Sequence, residues 1–216
     1  MTAVASYNGA GLPGQFSPAF NWSNKPKIDL VAPFGALTSL AQVTQAVGVL
    51  VGSGMTSGLP INFQGQSWFA IANFSQFLFV VDDPATIAKK LKSGDQRNWA
   101  VRKSGYAPPE TNPITVDGSI ALVAHGLFDI RPYDSFGVGY YFNAISNDLK
   151  NDVAQLTAGT STVKDEQGIE IFYDFAITPA VRLIPSYQHI WQPLAAQVAT
   201  KQNEADVFLA RLTVVW

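Results

Sequence analysis

Residues 208–216, Phe208-Leu-Ala-Arg-Leu-Thr-Val-Val-Trp216, decide the fold class. The even positions Phe208, Ala210, Leu212, Val214 and Trp216 are all apolar, whereas the odd positions include Arg211 and Thr213. Successive side chains of an extended chain point to opposite faces, so this is a strand with one greasy face and one that tolerates charge. It is close to the roughly 9–11 residues that a tilted strand needs to cross a bilayer, and it stops on an aromatic residue suited to the interface.

The same period recurs upstream. In 181–191 the odd positions are Val181, Leu183, Pro185, Tyr187, His189 and Trp191, and the even ones include Arg182, Ser186 and Gln188. In 168–176 one face carries Ile169, Ile171, Tyr173 and Phe175, and the other Glu170, Phe172 and Asp174. Residues 134–143 set Phe136, Val138, Tyr140 and Phe142 against Tyr141 and Asn143. Residues 118–130 set Ile120, Leu122, Ala124 and Phe128 against Ser119, His125 and Asp129. A longer candidate, 66–81, alternates less cleanly, and 42–51, 27–34 and 15–22 are fainter.

Composition points the same way. Hydrophobic residues make up 47% of the 216 residues and charged ones only 14%, against about a quarter charged in a soluble domain. With 14 basic and 16 acidic residues, net −2, no basic excess exists to neutralise phosphates, which argues against nucleic acid as a partner. The absence of cysteine excludes disulfides, thiolate metal sites and cysteine nucleophiles. Residues 30–81 hold no charge and no histidine, yet Pro33, Gly35, Gln42, Gln45, Gly54 and Pro60 break them up. They contain no apolar run of the ~20 residues a membrane helix requires. No charged and then apolar leader is visible at the start. The expectation is an all-β, antiparallel transmembrane β-barrel segment of about eight or nine strands, one unit over 1–216.

Connection lengths give a separate test. Counted back from Trp216 they run about 12, 4, 20, 4 and 35 residues, and outer-membrane barrels likewise alternate long extracellular loops with short periplasmic turns. On this reading 82–117 is one long extracellular loop, rich in lysine and arginine, with a short basic helix over Pro84–Ser93.

Two stretches carry a family resemblance. The run Phe128-Asp-Ile-Arg-Pro-Tyr-Asp-Ser-Phe-Gly-Val-Gly-Tyr-Tyr-Phe-Asn143 resembles the R-x-x-D-x-x-G-x-G turn and strand of the carbohydrate-selective porins of the OprB family. Glu166 to Ala180, running into Leu183-Ile-Pro-Ser-Tyr-Gln188, resembles the family's E-x-x-Y-x-F-x-x-T-P and P-x-x-Q hairpin. The likeness is clear over 67–216 and vague over 1–66. It implies a 16-stranded barrel in a Gram-negative outer membrane, of roughly twice this length, of which this chain looks like the C-terminal half. It also implies passive, carbohydrate-selective diffusion of small sugars. The expected partners are those sugars and outer-membrane lipid, with a missing N-terminal half or a homo-oligomer completing the wall.

Strand charges should face the lumen, because a lipid-facing Arg or Lys costs about 2–4 kcal/mol at midplane. The candidate lumen-lining, solute-contacting residues are therefore Arg182, Arg211, Glu170, Asp174, Gln188, Tyr141, Asn143, His125 and Asp129. The alternative for each is a salt-bridge ladder that only braces the wall. Trp68, Tyr173, Tyr187, Trp191 and Trp216 read as interface anchors. No cofactor or metal is expected. An enzyme would have to use a Ser/His pair, with His125 beside Ser119 and Ser135, but no G-x-S-x-G nucleophile motif and no H-E-x-x-H occurs. If 1–216 closed by itself, a small barrel filled by side chains with a structural or adhesive role would be the alternative.

Overall fold

The computed structural model describes residues 3–9, 11–52, 56–78, 99–126, 131, 133–178 and 180–214. Its centre is one antiparallel sheet of nine strands: β1 (Ala5–Gly9), β2 (Leu12–Ser23), β5 (Ser67–Phe77), β6 (Trp99–Tyr106), β7 (Ile114–His125), β8 (Ser135–Ile145), β9 (Glu166–Thr178), β10 (Val181–Trp191) and β11 (Glu204–Val214). Each pairs with the next in that order. Gly11, at φ +80°, occupies the left-handed region that a tight turn needs and glycine adopts freely. A two-residue ladder, β3 (Lys27–Ile28) with β4 (Phe63–Gln64), stands apart.

Paired residues share a face, so the register sorts the whole sheet. Phe16, Phe74, Arg102 and Ile120 lie in one row and Ser17, Asn73, Lys103 and Ser119 in the adjacent one. The first face is apolar and uncovered: Phe20, Trp22, Leu122, Val138, Ile171, Leu212 and Phe208, the last 78% exposed. A soluble sheet buries such a face; this one presents it outward, as a membrane strand does. Near one end of that face, Trp68 lies between Phe20 (5.8 Å) and Tyr106 (5.7 Å) with the rings tilted, an aromatic cluster of the kind that suits a membrane interface.

The packed core lies beyond the strand ends. Three helices, α1 (Leu40–Leu50), α2 (Asn147–Leu156) and α3 (Leu194–Ala199), occupy the connections at one end, here the cap end. Leu30, Leu50, Val51, Ile145, Leu149, Val153 and Val163 form one cluster there, with Leu194 against it. Leu149 is fully buried, which stabilises the cap by about 1.5–3 kcal/mol. Ser39 caps α1 by accepting from the Gln42 N–H (3.2 Å), and Ser146 caps α2 by accepting from Asp148 (3.2 Å). Ile145, on the polar face, packs in this cluster, and Ser67, on the same face, is buried against Thr111 and Asn112 of the β6–β7 connection. The cap therefore folds over the polar side of the sheet.

Three expectations are corrected. Residues 42–51 are not a strand but most of α1, whose Ala46, Val47 and Leu50 recur at helical spacing and are buried. The supposed 82–117 loop contains β6 and the start of β7. With β6 in place, the 78–98 connection joins strand ends at the turn end, opposite the cap and level with the β9–β10 hairpin, not at the long-loop end. The basic helix expected over 84–93 lies outside the described residues. Finally, not every strand charge faces the polar side: Arg102 pairs with Phe74 and Ile120, and Asp206 with His189, all on the apolar face. These residues lie within a few positions of strand ends, where long or polar side chains reach water.

Candidate functional site

The polar face of β6–β11 is the candidate site. Its alternation places Asp174, Phe172, Glu170 and Gly168 of β9 on the same face as Arg182, Ser186 and Gln188 of β10 and Tyr141 and Asn143 of β8.

Several of these side chains hold each other. Arg182 Nε donates to Asp174 Oδ1 at 2.8 Å, and its Nη2 to the Tyr133 carbonyl at 3.2 Å. Lys103 Nζ stands 3.4 Å from Asp117. Glu166 Oε1 accepts from the Tyr141 hydroxyl and from Asn143 Nδ2, each at 3.3 Å, and its Oε2 accepts from the Leu194 N–H at 3.0 Å. One carboxylate thus ties the wall to the cap. These contacts form a brace.

Glu170, Gln188 and Arg211 differ. Glu170 and Gln188 lie directly opposite each other, and Arg211 is opposite Ile184. The side chains of these three make no hydrogen bond or ion pair with a described residue. His125 contacts Ser135 across β7 and β8, Nδ1 to Oγ, at 2.5 Å. Ser135 is only 3% exposed, so its hydroxyl has no open approach for a substrate. Asp129 lies outside the described residues.

Sequence reading missed a cluster at the turn end. Asp134 accepts from Arg131 Nε (2.8 Å) and Nη2 (3.1 Å), from the Tyr173 hydroxyl (2.7 Å) and from the Ala176 N–H (3.0 Å). The Arg131 guanidinium lies 3.9 Å over the Phe175 ring. Burial alone would raise the Asp134 carboxyl, but the hydrogen bonds from Arg131, Tyr173 and Ala176 outweigh it and hold the group below the usual carboxylate range. The signal was present: Arg131 and Asp134 are the charged positions of one quoted motif, and Tyr173 and Phe175 are the aromatic positions of the other.

Comparison with known proteins fits this geometry. The family model for the carbohydrate-selective porin, OprB family, matches residues 3–215. A structure of Pseudomonas putida OprB at high pH superposes with a TM-score of 0.69 at 17% identity, covering 99% of this chain and 47% of that one. The chain thus spans about half the length of that protein, and the likeness carries the fold. No curated protein sequence matches. The exposed apolar face, the polar face under a cap and the family match over nearly every residue lead to one conclusion: this chain belongs to the carbohydrate-selective porin, OprB family.

Proposed function

We propose that the chain forms about half the wall of an outer-membrane porin through which small sugars diffuse passively, with no cofactor and no energy input. The observation that carries this reading is the two-faced sheet. Its apolar side lies uncovered, and its polar side carries a row of donors and acceptors beneath a cap. Selectivity in such a pore comes from width and from the groups that line it, so the residues proposed to meet solute are Glu170, Gln188 and Arg211. Arg182, Asp174, Tyr141 and Asn143 act as braces in this proposal, and His125 joins two strands.

Strand parity favours a half-wall over a small self-contained barrel. Among the described residues nine antiparallel strands are paired, so β1 and β11 run in the same direction. Joining them directly would create a parallel seam, and leaving them open in lipid costs several kcal/mol per unmet backbone group. An odd number of further strands closes the wall with antiparallel pairs throughout. Seven would make sixteen, a common even-numbered barrel size.

Liposome swelling tests the function. Vesicles containing the protein are expected to swell in isotonic glucose and, more slowly, in larger sugars. Vesicles that admit no sugar at all would overturn the reading in favour of a filled barrel.

A further inference from the structure

Glu170 and Phe172 of β9, Ser186 of β10 and Arg211 of β11 border one groove of about 450 Å³ on the polar face. That lies within the roughly 300–1,000 Å³ usual for small-molecule sites. We propose that this groove is a binding subsite for a neutral pyranose, with Phe172 as its stacking floor, Glu170 as hydrogen-bond acceptor and Arg211 as donor. The assignment rests on the porin reading above and adds a place to it.

Two features mark this groove. The first is that its charged side chains lack the partners that the other polar-face charges have. Asp174 is held by Arg182, Asp117 stands beside Lys103, and Glu166 is held by Tyr141, Asn143 and the cap. Glu170, Ser186 and Arg211 make no side-chain hydrogen bond or ion pair with a described residue. A carboxylate, a hydroxyl and a guanidinium facing one space hold their hydrogen-bonding capacity for water or for a solute.

The second feature is the setting of the ring. Phe172 lies in register between Gly137 on one side and Ser186 on the other. A Cβ at Gly137 would collide with the Phe172 ring, so only glycine lets the ring pack down on the wall. In the next row Gly139 and Gln188 flank Glu170. The first glycine of the G-x-G motif, Gly137, therefore clears space beneath the ring.

The chemistry matches a sugar. A pyranose offers C–H faces, which the electron-rich face of an aromatic ring attracts, and a rim of hydroxyls that both donate and accept. Glu170 accepts, Arg211 donates, and Ser186 does either. Their opposite charges cancel, so the groove has no net charge with which to favour an ion over a neutral polyol.

Ion conductance of the full protein in planar bilayers, titrated with glucose, tests this, because a bound sugar obstructs the ion path. Phe172→Ala and Glu170→Gln are each expected to raise the half-blocking glucose concentration about five- to tenfold, the loss of one stacking contact or charged hydrogen bond. Arg102→Leu, on the outer face, is expected to leave it unchanged. Glu170→Gln keeps the side chain's size, so it decides the matter if Phe172→Ala fails to insert. Channels that glucose blocks equally in wild type and in inserted Glu170→Gln would overturn the subsite and leave the porin reading standing. A wild-type protein with no sugar-sensitive conductance and no swelling would overturn both.

Discussion

The Tyr173 hydroxyl donates to Asp134 Oδ2 at 2.7 Å, joining residues 39 positions apart in the chain. That bond, with the Arg131 fork on the same carboxylate and the Arg131 guanidinium over Phe175, fastens the β7–β8 connection to the β9–β10 hairpin. Two stretches that the sequence presents separately are therefore one structural unit, the lower fastening of the wall.

Replacing Asp134 tests this fastening. Asp134→Ala leaves the Ala176 N–H and Arg131 Nε without their acceptor, with only the Ala176 carbonyl left to Arg131 Nη2, and is expected to cost about 1–3 kcal/mol in urea unfolding from lipid vesicles. Tyr173→Phe removes one donor and is expected to cost less. Because the folded carboxyl sits below its ordinary value of 3.8, its contribution is present above that pH and is lost as pH falls through the lower folded value. The Asp134→Ala protein should therefore show a flatter acid limb than wild type below about pH 4. Identical acid limbs would mean that the carboxylate does not act through its ionised form.

Reversing one charge tests which side of the wall faces the pore. Arg211 has no described partner, so Arg211→Glu should leave assembly intact while altering the local field. Unit charges about 4 Å apart in water interact by about 1 kcal/mol, so the K+ to Cl− permeability ratio is expected to rise roughly three- to fivefold. The effect should shrink in 1 M salt, where the screening length falls to about 3 Å. An unchanged reversal potential in a protein that inserts normally would place Arg211 away from the ion path.

The strands that alternate cleanly were legible from the sequence. β10 spans Val181–Trp191, the residues whose odd and even positions separate apolar from polar, and β8 and β9 differ from expectation only by a few residues at their ends. β6 was not legible because Arg102 and Lys103 are adjacent charges on opposite faces, which erases the period-2 signal. α1 reads as a strand because Val43, Val47, Val49 and Leu50 are β-branched or aliphatic in a stretch without charge; tertiary burial in the cap overrides that local preference. Within the site, alternation gave the facing of Glu170, Asp174, Arg182 and Gln188. It could not tell Asp174, which has an ion-pair partner, from Glu170, which has none, because partnership depends on register between strands and not on spacing within one.

Arg102 offers a test of the lipid-facing side. It sits between Phe74 and Ile120 on the apolar face, three positions from the start of β6 at the turn end, and its side chain makes no hydrogen bond or ion pair with another described residue. A lipid-facing arginine costs about 2–4 kcal/mol at midplane and about 0–1 near an interface. Arg102→Leu is therefore expected to stabilise the protein by about 1 kcal/mol in vesicle unfolding. Marked destabilisation would mean that Arg102 is held by a partner, such as a phospholipid headgroup or a neighbouring subunit.

Asp152 makes the cap sensitive to pH. It lies on α2, where burial first, and then the charges of Asp148 and Asp29, push its carboxyl up to about 6, and its Oδ2 has no hydrogen-bond partner among the described residues. A raised carboxyl favours the protonated form in the folded cap, so the cap takes up a proton that the opened chain, titrating near 3.8, does not. Linkage then makes the cap more stable as pH falls from about 6 to about 4, with no further change below. The gain is on the order of 1 kcal/mol, because water screens a partly exposed carboxylate. Amide hydrogen exchange across 147–156, corrected for intrinsic rates, should therefore slow severalfold between pH 7 and pH 5 in wild type. Asp152→Asn should exchange slowly at both pH values, since an amide carries no charge to desolvate. Wild-type exchange that stays independent of pH would show that the Asp152 carboxylate is already solvated in the closed cap.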